Sequence, residues 1–226
     1  MVKYKYSTKP IQIMIKVLLF DFWGTLVENG VWSPTKQVKN ILQIDLPFSD
    51  YVTRMEKAMM TSKFFELKDA FQSVGDEFKV KVSPKQLDLL IGMWNTSWML
   101  ARPYKEVKEM LEQLQGKYTL ALVSNTDCFS EKRVLEKFDL LKYFNHAFFS
   151  HEMGCLKTDP QFFEMVTTEL KVSPEECLVI GDSLQSDVLA AQQANIKAIL
   201  IDRKNVREFS PKISSLTELE EAITKL

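Results

Sequence analysis

The chain has 226 residues, of which 46% are hydrophobic and 26% charged, and its formal net charge is −1 at pH 7. This composition is typical of a globular protein and excludes the disordered and fibrous classes. Because the charge is near zero, there is no excess of cations for a nucleic-acid backbone or an anionic membrane surface, and we expect neither partner.

Three cysteines occur, Cys128, Cys155 and Cys177, with no CxxC spacing. This number and pattern predict free thiols in a reducing compartment, with neither a disulfide framework nor a zinc site. No apolar run approaches the length of about 18 residues that a membrane span requires, so we expect a cytoplasmic protein. Residues 1–13 precede the first apolar run and are predicted to be an N-terminal extension that adds little to the core.

Short apolar runs predict strands that are buried on both faces of a parallel sheet. They occupy residues 17–20, 119–123, 147–149, 178–180 and 198–201. Helical patterns follow at residues 105–115, 131–138, 160–170, 187–194 and 216–226. This alternation of strand and helix predicts an α/β fold with a doubly wound parallel sheet.

Residues 27–102 interrupt the alternation with helical patterns alone. Tyr51, Met55 and Met59 recur at helical spacing, and Ser83-Pro84 is typical of a helix start. We therefore predict a helical module of residues 27–102, inserted into an α/β core of residues 14–26 and 103–226.

Polar segments follow four of the predicted strands, at the edge where open α/β sheets bind ligands. The first is Asp21-Phe22-Trp23-Gly24-Thr25-Leu26, and the second is Ser124-Asn125. The third is residues 154–160 around Lys157, and the fourth is Gly181-Asp182-Ser183 with Asp187. One such segment is weak evidence, but four in this order predict a catalytic site.

In this order the segments resemble the four motifs of the haloacid dehalogenase (HAD) superfamily, over about residues 15–202. The resemblance implies a Rossmann-like core, and the inserted module looks like the small helical cap of the C1 subgroup. It also implies a hydrolase that acts on a small anionic molecule, as a monomer or a homodimer.

The resemblance assigns a nucleophile and its helpers. Asp21 looks like the residue that attacks the substrate and forms an aspartyl intermediate. Thr25 would orient that carboxylate, and Gly24 would permit the tight turn that brings backbone amides to an anion. Ser124 and the backbone amide of Asn125 would donate hydrogen bonds to a phosphoryl oxygen.

The other two motifs imply a cation and a metal site. Lys157 fits the residue that holds the nucleophile and reduces its repulsion of an anionic substrate. Asp182 and Asp187 resemble the acids that hold Mg²⁺, together with Asp21 and the backbone carbonyl of Trp23. A hard ion such as Mg²⁺ prefers oxygen ligands of these kinds.

Trp23 departs from the pattern of the family's phosphatases, which have a second Asp at this position. That Asp protonates the leaving group and later activates water, a contribution usually worth about 10²- to 10⁴-fold. Haloacid dehalogenases have an aromatic residue there, do not need Mg²⁺, and grip the substrate carboxylate with an arginine of the cap. Arg54 is the candidate for that arginine.

Three functions therefore remain open. We favour a Mg²⁺-dependent phosphatase that acts on a small phosphorylated metabolite or a phosphate with a good leaving group, because both acids of the fourth motif are present. The alternatives are a metal-independent 2-haloacid dehalogenase and a low-activity metabolite-binding or regulatory protein. Candidates for contacts with the substrate in the inserted module are Tyr51, Arg54, Phe64 and Trp98.

Overall fold

The computed structural model describes residues 14–226, so the predicted extension of residues 1–13 lies outside the described residues. The strands are β1 (Val17–Phe20), β2 (Val27–Glu28), β3 (Arg102–Pro103), β4 (Thr119–Ser124), β5 (His146–Phe149), β6 (Cys177–Gly181), β7 (Lys197–Ile201) and β8 (Lys212–Ile213). Six of them form one sheet in the order β5-β4-β1-β6-β7-β8, and all of its neighbours pair in parallel. The predicted parallel sheet is confirmed. Strand β8 was not predicted, because two residues are too few to produce an apolar run.

Helices cover the sheet and form the insertion. They are α1 (Pro34–Ile41), α2 (Phe48–Met60), α3 (Leu67–Glu77), α4 (Pro84–Leu100), α5 (Val107–Leu114), α6 (Glu131–Phe138), α7 (Ser150–Met153), α8 (Pro160–Leu170), α9 (Ala190–Gln193) and α10 (Leu219–Thr224). Within the described part of the chain, none of these helices has the length and apolar character needed to cross a membrane.

The central strand β1 explains why both faces of the sheet must be covered. Leu18 and Phe20 pack in one hydrophobic cluster with α5 and α6, whereas Val17 and Leu19 pack in another with α8. All four side chains are buried. Because side chains alternate along a strand, this distribution requires helices on both faces, which confirms the doubly wound α/β fold.

The register of β1 determines which segments meet. Phe20 lies opposite Leu122 of β4 on one side and Ile180 of β6 on the other. The backbone N–H of Asp21 extends this pairing by donating to the carbonyl of Ile180 at 2.9 Å. Because the three strands are parallel and in register, the segments that follow them lie side by side at one edge of the sheet.

The helix after β6 begins earlier than predicted. We expected residues 187–194, but a π-helical turn spans Leu184–Leu189 and continues into α9. The side chain of Ser183 accepts a hydrogen bond from the Ser186 backbone N–H and thereby caps the helix. Asp187 consequently lies inside the first turn of the helix.

The inserted helices α1 to α4 share a hydrophobic cluster that is separate from the two clusters of the sheet. Its buried residues include Tyr51, Met55 and Met59, as the spacing predicted. Leu156, beside Lys157, also belongs to this cluster, so the insertion packs against the loop of the third motif.

Two short strands connect the insertion to the sheet. Strand β2 pairs antiparallel with β3, so that Val27 lies opposite Pro103 and Glu28 opposite Arg102. The chain thus leaves and re-enters the sheet region at one place. The division into domains at residues 27 and 102 stays a prediction.

Two glycines of the insertion provide a matched test of its packing. A Cβ at Gly75 would lie 2.7 Å from the carbonyl oxygen of Val80, whereas one at the exposed Gly92 would meet nothing within 4 Å. We expect Gly75→Ala to lower the free energy of unfolding by about 1–3 kcal/mol through overpacking. Gly92→Ala should raise it by about 0.5–1 kcal/mol, because alanine restricts the unfolded chain and favours the helix. Urea unfolding of both variants measures this, and similar changes of one sign would contradict the packing.

Candidate active site

Asp21 lies at the end of β1 with both carboxylate oxygens in hydrogen bonds. The Thr25 hydroxyl donates to Oδ2 at 2.9 Å, and the Lys157 ammonium donates to Oδ1 at 2.7 Å. The side chain is buried, with 6% of its residue surface exposed. Burial raises the pKa of Asp21, whereas the positive charge of Lys157 opposes that rise. The predicted nucleophile is thus held in one orientation beside a fixed cation.

Lys157 lies between two carboxylates and is itself 2% exposed. Its ammonium group donates to Asp21 and, at 2.5 Å, to Oδ1 of Asp187. Burial alone would lower the pKa of Lys157, but the charges of Asp187 and Asp21 raise it above its usual value. The lysine is therefore a permanent positive charge in the site.

Three carboxylates converge at the same edge. Asp21, Asp182 and Asp187 each offer an oxygen, and these oxygens lie within 4.8 Å of one another. Burial raises the pKa of Asp182 to about 8, and repulsion from Asp21 and Asp187 adds to the rise. Crowded carboxylates of this kind repel one another until a cation neutralises them, so the donor set fits a hard divalent ion.

Among the described residues, the carboxylate of Asp187 is held by hydrogen bonds to both of its oxygens, unlike that of Asp182. Its Oδ1 accepts from Lys157, and its Oδ2 accepts from the backbone N–H of Ser183 at 2.9 Å. The carbonyl of Asp182 accepts a hydrogen bond from the Arg207 guanidinium, which was not predicted as a site residue. Asp182 therefore has the more accessible carboxylate, and Asp187 mainly positions Lys157 and the loop after β6.

Gly24 forms the turn after β1, with a φ of 82° that L side chains rarely adopt. Its backbone N–H donates to the carbonyl of Val27 at 2.8 Å and closes the turn. A Cβ at this position would overlap the carboxylate of Asp182. Glycine is thus needed both for the turn and for the space that Asp182 occupies.

Ser124 ends β4 beside Asp21, and its buried hydroxyl has an unpredicted partner. It donates to Oε2 of Glu131, at the start of α6, at 2.6 Å. Burial raises the pKa of Glu131 to about 8. The other oxygen, Oε1, has no hydrogen-bond partner among residues 14–226. Nothing in the sequence around Glu131 distinguishes it from an ordinary first-turn glutamate.

Asn125 connects the sheet edge to the insertion through its side chain. Its Oδ1 accepts from the backbone N–H of Lys157 at 2.9 Å, and its Nδ2 donates to Oε2 of Glu56 at 3.1 Å. Glu56, on α2, was not predicted. Burial raises the pKa of Glu56 to about 7, and the Asn125 hydrogen bond and the Lys157 charge oppose that rise. A carboxylate next to the apolar residues Met55 and Met59 was the one signal that could have revealed it.

Trp23 is partly buried, with its ring edge-on to Phe22 at 5.0 Å between centroids. It borders a cavity of about 220 Å³ between the insertion and the sheet edge. Trp94, Trp98, Glu56 and Asn125 also line this cavity. Of the predicted substrate contacts in the insertion, Trp98 alone lines it.

Arg54 is not brought to the site, in contrast to our expectation. It is exposed, its Nε donates to Oε1 of Glu77 at 2.7 Å, and its guanidinium stacks on Phe78. Tyr51 is buried and donates to the carbonyl of Thr35, and Phe64 packs on the insertion's own core. These three side chains therefore belong to the packing of the insertion.

The chain is similar in sequence to curated phosphatases. The chain is 23% identical over 193 residues to a glyceraldehyde 3-phosphate phosphatase of Pyrococcus abyssi, covering 82% of this chain and 81% of the relative. It is 29% identical over 183 residues to a D-ribitol-5-phosphate phosphatase of Bacteroides thetaiotaomicron, covering 75% and 84% respectively.

Solved structures of HAD family enzymes share this fold. A 2-haloacid dehalogenase from Pseudomonas syringae has a TM-score of 0.62 at 19% identity, covering 94% of this chain and 99% of that one. A HAD family enzyme from Bacteroides thetaiotaomicron, in complex with magnesium and inorganic phosphate, has a TM-score of 0.57 at 24% identity, covering 87% and 98%. These likenesses establish the fold alone.

The model of the family described as haloacid dehalogenase-like hydrolase matches residues 15–195, most of the chain. The protein therefore belongs to the haloacid dehalogenase-like hydrolases.

Proposed function

We propose that this hydrolase transfers the phosphoryl group of a small phosphorylated metabolite to Asp21 and then to water, with Mg²⁺ as its cofactor. The observation that carries the proposal is the cluster of Asp21, Asp182 and Asp187, whose oxygens lie within 4.8 Å of one another. The Lys157 ammonium pairs with two of them, Asp21 and Asp187. The phosphatase names of the two relatives support phosphate as the group transferred.

The nucleophile is prepared by its neighbours. Thr25 and Lys157 hold the two oxygens of Asp21, which removes most of its rotational freedom before the substrate arrives. The charge of Lys157 also offsets the repulsion between Asp21 and the anionic phosphoryl group. An oxygen of Asp21 attacks phosphorus, the bond from phosphorus to the leaving oxygen breaks, and water later hydrolyses the aspartyl phosphate.

Asp21, Asp182 and the backbone carbonyl of Trp23 would hold Mg²⁺. Asp187 would position Lys157 and the loop after β6. When bound, the ion would supply positive charge to the phosphoryl oxygens. Because carboxylates and carbonyls are the oxygen ligands that this ion prefers, the donor set supports Mg²⁺ over a softer metal. The crowding of the three carboxylates is the physical reason to expect a cation there.

Ser124 would donate to a phosphoryl oxygen, and the protonation of Glu131 decides whether its hydroxyl is available. A hydroxyl has one hydrogen, which an ionised Glu131 would engage. Because the pKa of Glu131 is raised to about 8, its carboxyl is mostly protonated at neutral pH and can donate to Ser124 Oγ itself. The Ser124 hydrogen is then free for the substrate.

Trp23 is the observation that favours the alternatives, a 2-haloacid dehalogenase or a low-activity binding or regulatory protein. The position of Arg54 speaks against the dehalogenase, since its guanidinium is engaged with Glu77 away from Asp21. A cytoplasmic location and a monomeric or homodimeric state stay predictions.

One assay series separates the three functions. We expect phosphate release from acetyl phosphate and p-nitrophenyl phosphate with Mg²⁺, and its loss with EDTA or in Asp21→Asn. No halide should be released from 2-chloropropionate. Phosphate release that persists with EDTA or in Asp21→Asn would refute the phosphatase, and halide release that is insensitive to EDTA would establish the dehalogenase. If no substrate releases phosphate or halide but Mg²⁺ still raises the melting temperature, the binding protein is favoured.

Substitutions at two glycines with positive φ distinguish the effect of backbone strain on stability from the effect of losing the metal site. Gly154, with φ of 75°, has nothing within 4 Å of the position that a Cβ would take, whereas a Cβ at Gly24 would overlap Asp182. Gly24→Ala and Gly154→Ala should each cost about 1–2 kcal/mol of stability from the left-handed conformation. Only Gly24→Ala should also lose the rise in melting temperature that Mg²⁺ produces. Equal responses of the two variants to Mg²⁺ would contradict the placement of the ion beside Asp182.

Glu131 predicts a pH dependence of stability. Its pKa rises from 4.5 to about 8 on folding, so between these values the native state retains a proton that the unfolded chain has released. The contribution of Glu131 to the free energy of unfolding therefore falls as pH rises through this range. Urea titrations at pH 5 and pH 8 should show a smaller fall for Glu131→Gln than for wild type. Glu136→Gln, an exposed position on the same helix, is the control and should behave like wild type. Equal falls in all three proteins would show that Glu131 does not retain its proton.

A further inference from the structure

The proposed phosphatase needs a proton for the leaving group, and the turn after β1 does not supply one. Trp23 has no titratable group, and it lines the cavity between the insertion and the sheet edge. A leaving alkoxide is a strong base, so its departure without a proton donor is slow. An acid for this step must come from another element that faces the same cavity.

Glu56 lies across this cavity, on α2 of the insertion. It lines the same volume of about 220 Å³ as Trp23 and Asn125, and it is partly exposed there. Its Oε2 is fixed by the hydrogen bond from Asn125, whose Oδ1 in turn accepts from the backbone of Lys157. Asn125 thus connects the Glu56 carboxyl to Lys157, the residue that holds Asp21.

Other acids near the cavity are less suited to this role. Asp127 also lines it, but its oxygens accept from Trp94 Nε1 and from the backbone N–H groups of Phe129 and Ser130. Glu131 is fully buried against Ser124 and does not line the cavity. Glu56 lines the cavity, and in its one side-chain hydrogen bond among the described residues its Oε2 accepts from Asn125.

The charges that face Glu56 set its protonation. They are the Lys157 ammonium and the Asp21 and Asp187 carboxylates at the sheet edge, with the Tyr51 phenol on its own helix. Burial raises the pKa of Glu56 to about 7, the Asn125 hydrogen bond and Lys157 oppose the rise, and Asp187 and Asp21 add to it. A group that is partly protonated near neutral pH can both give and take a proton.

We propose that Glu56 is the general acid of this hydrolase, in place of an acid at position 23. This inference rests on the proposed phosphatase function. As Asp21 attacks phosphorus and the bond to the leaving oxygen breaks, the Glu56 carboxyl gives its proton to that oxygen, and an alcohol leaves. Water then hydrolyses the aspartyl phosphate, and the Glu56 carboxylate takes back one proton from solvent. Inorganic phosphate leaves, and the Asp21 carboxylate and the Glu56 carboxyl are restored.

This assignment also defines the substrates. The acid is supplied by the inserted helices, so alkyl phosphates are turned over only while the insertion is docked on the sheet edge. The cavity beside it is small and bordered by Trp23, Trp94 and Trp98. It fits the short organic part of a small phosphate monoester, and a phosphate on a macromolecule would not reach it.

Glu56→Gln tests the proposal, because glutamine can still accept the hydrogen bond from Asn125 but cannot donate a carboxyl proton. We expect kcat on β-glycerophosphate to fall by about 10²- to 10⁴-fold. On acetyl phosphate, whose leaving group needs no proton, we expect a fall of less than about threefold. The decline in wild-type kcat on β-glycerophosphate above about pH 7 should disappear in the variant. Glu77→Gln, an exposed change on α3 of the same insertion, is the control and should match wild type on both substrates.

The double variant Trp23→Asp/Glu56→Gln provides a rescue. An acid at position 23 should restore turnover of β-glycerophosphate without changing that of acetyl phosphate. Equal losses on both substrates in Glu56→Gln, or no loss on β-glycerophosphate, would overturn the role of Glu56 while leaving the phosphatase function in place. Failure of wild type to release phosphate from either substrate would overturn the phosphatase function and this role together.

Discussion

The buried ammonium group of Lys157 is the constraint on which the rest of the site depends. It joins Asp21 at 2.7 Å and Asp187 at 2.5 Å, and it does so with 2% of the residue exposed. Removing the charge of a lysine from water is costly, and two hydrogen-bonded carboxylates offset that cost. Without the lysine, Asp21, Asp182 and Asp187 would repel one another in a region of low dielectric. In the proposed mechanism, the same charge that stabilises the folded site also prepares Asp21 for an anionic substrate.

The fold brings these groups together by strand register and helix docking. Strands β1, β4 and β6 are neighbours in the sheet. The segments that follow them therefore lie side by side because of the strand order, independently of the loop sequences. Lys157 comes from a different place, the loop before α8, and its neighbour Leu156 packs into the core of the insertion. Asn125 contacts both Lys157 and Glu56. The position of Lys157 and the docking of the insertion are therefore linked through the same few contacts.

The sequence predicted the site residues that lie in recognisable motifs. It missed the residues whose position depends on how the insertion packs on the sheet. Asp21, Thr25 and Lys157 follow apolar runs or lie in motifs, and the structure brings them within hydrogen-bond distance. Arg54 and Glu56 show the limit. They are two positions apart on α2, about 200° around the helix, so only one of them can face the sheet edge. Helical spacing alone did not show which one, because that depends on how the insertion docks.

In the proposed mechanism, Asp21 becomes phosphorylated during turnover. The most direct measurement is to mix the protein with acetyl phosphate and Mg²⁺, trap the acyl phosphate by reduction with borohydride, and locate the modified residue by mass spectrometry. We expect reductive modification of Asp21 that requires both acetyl phosphate and Mg²⁺. Modification of another residue, or phosphate release without any trapped intermediate on Asp21, would contradict it.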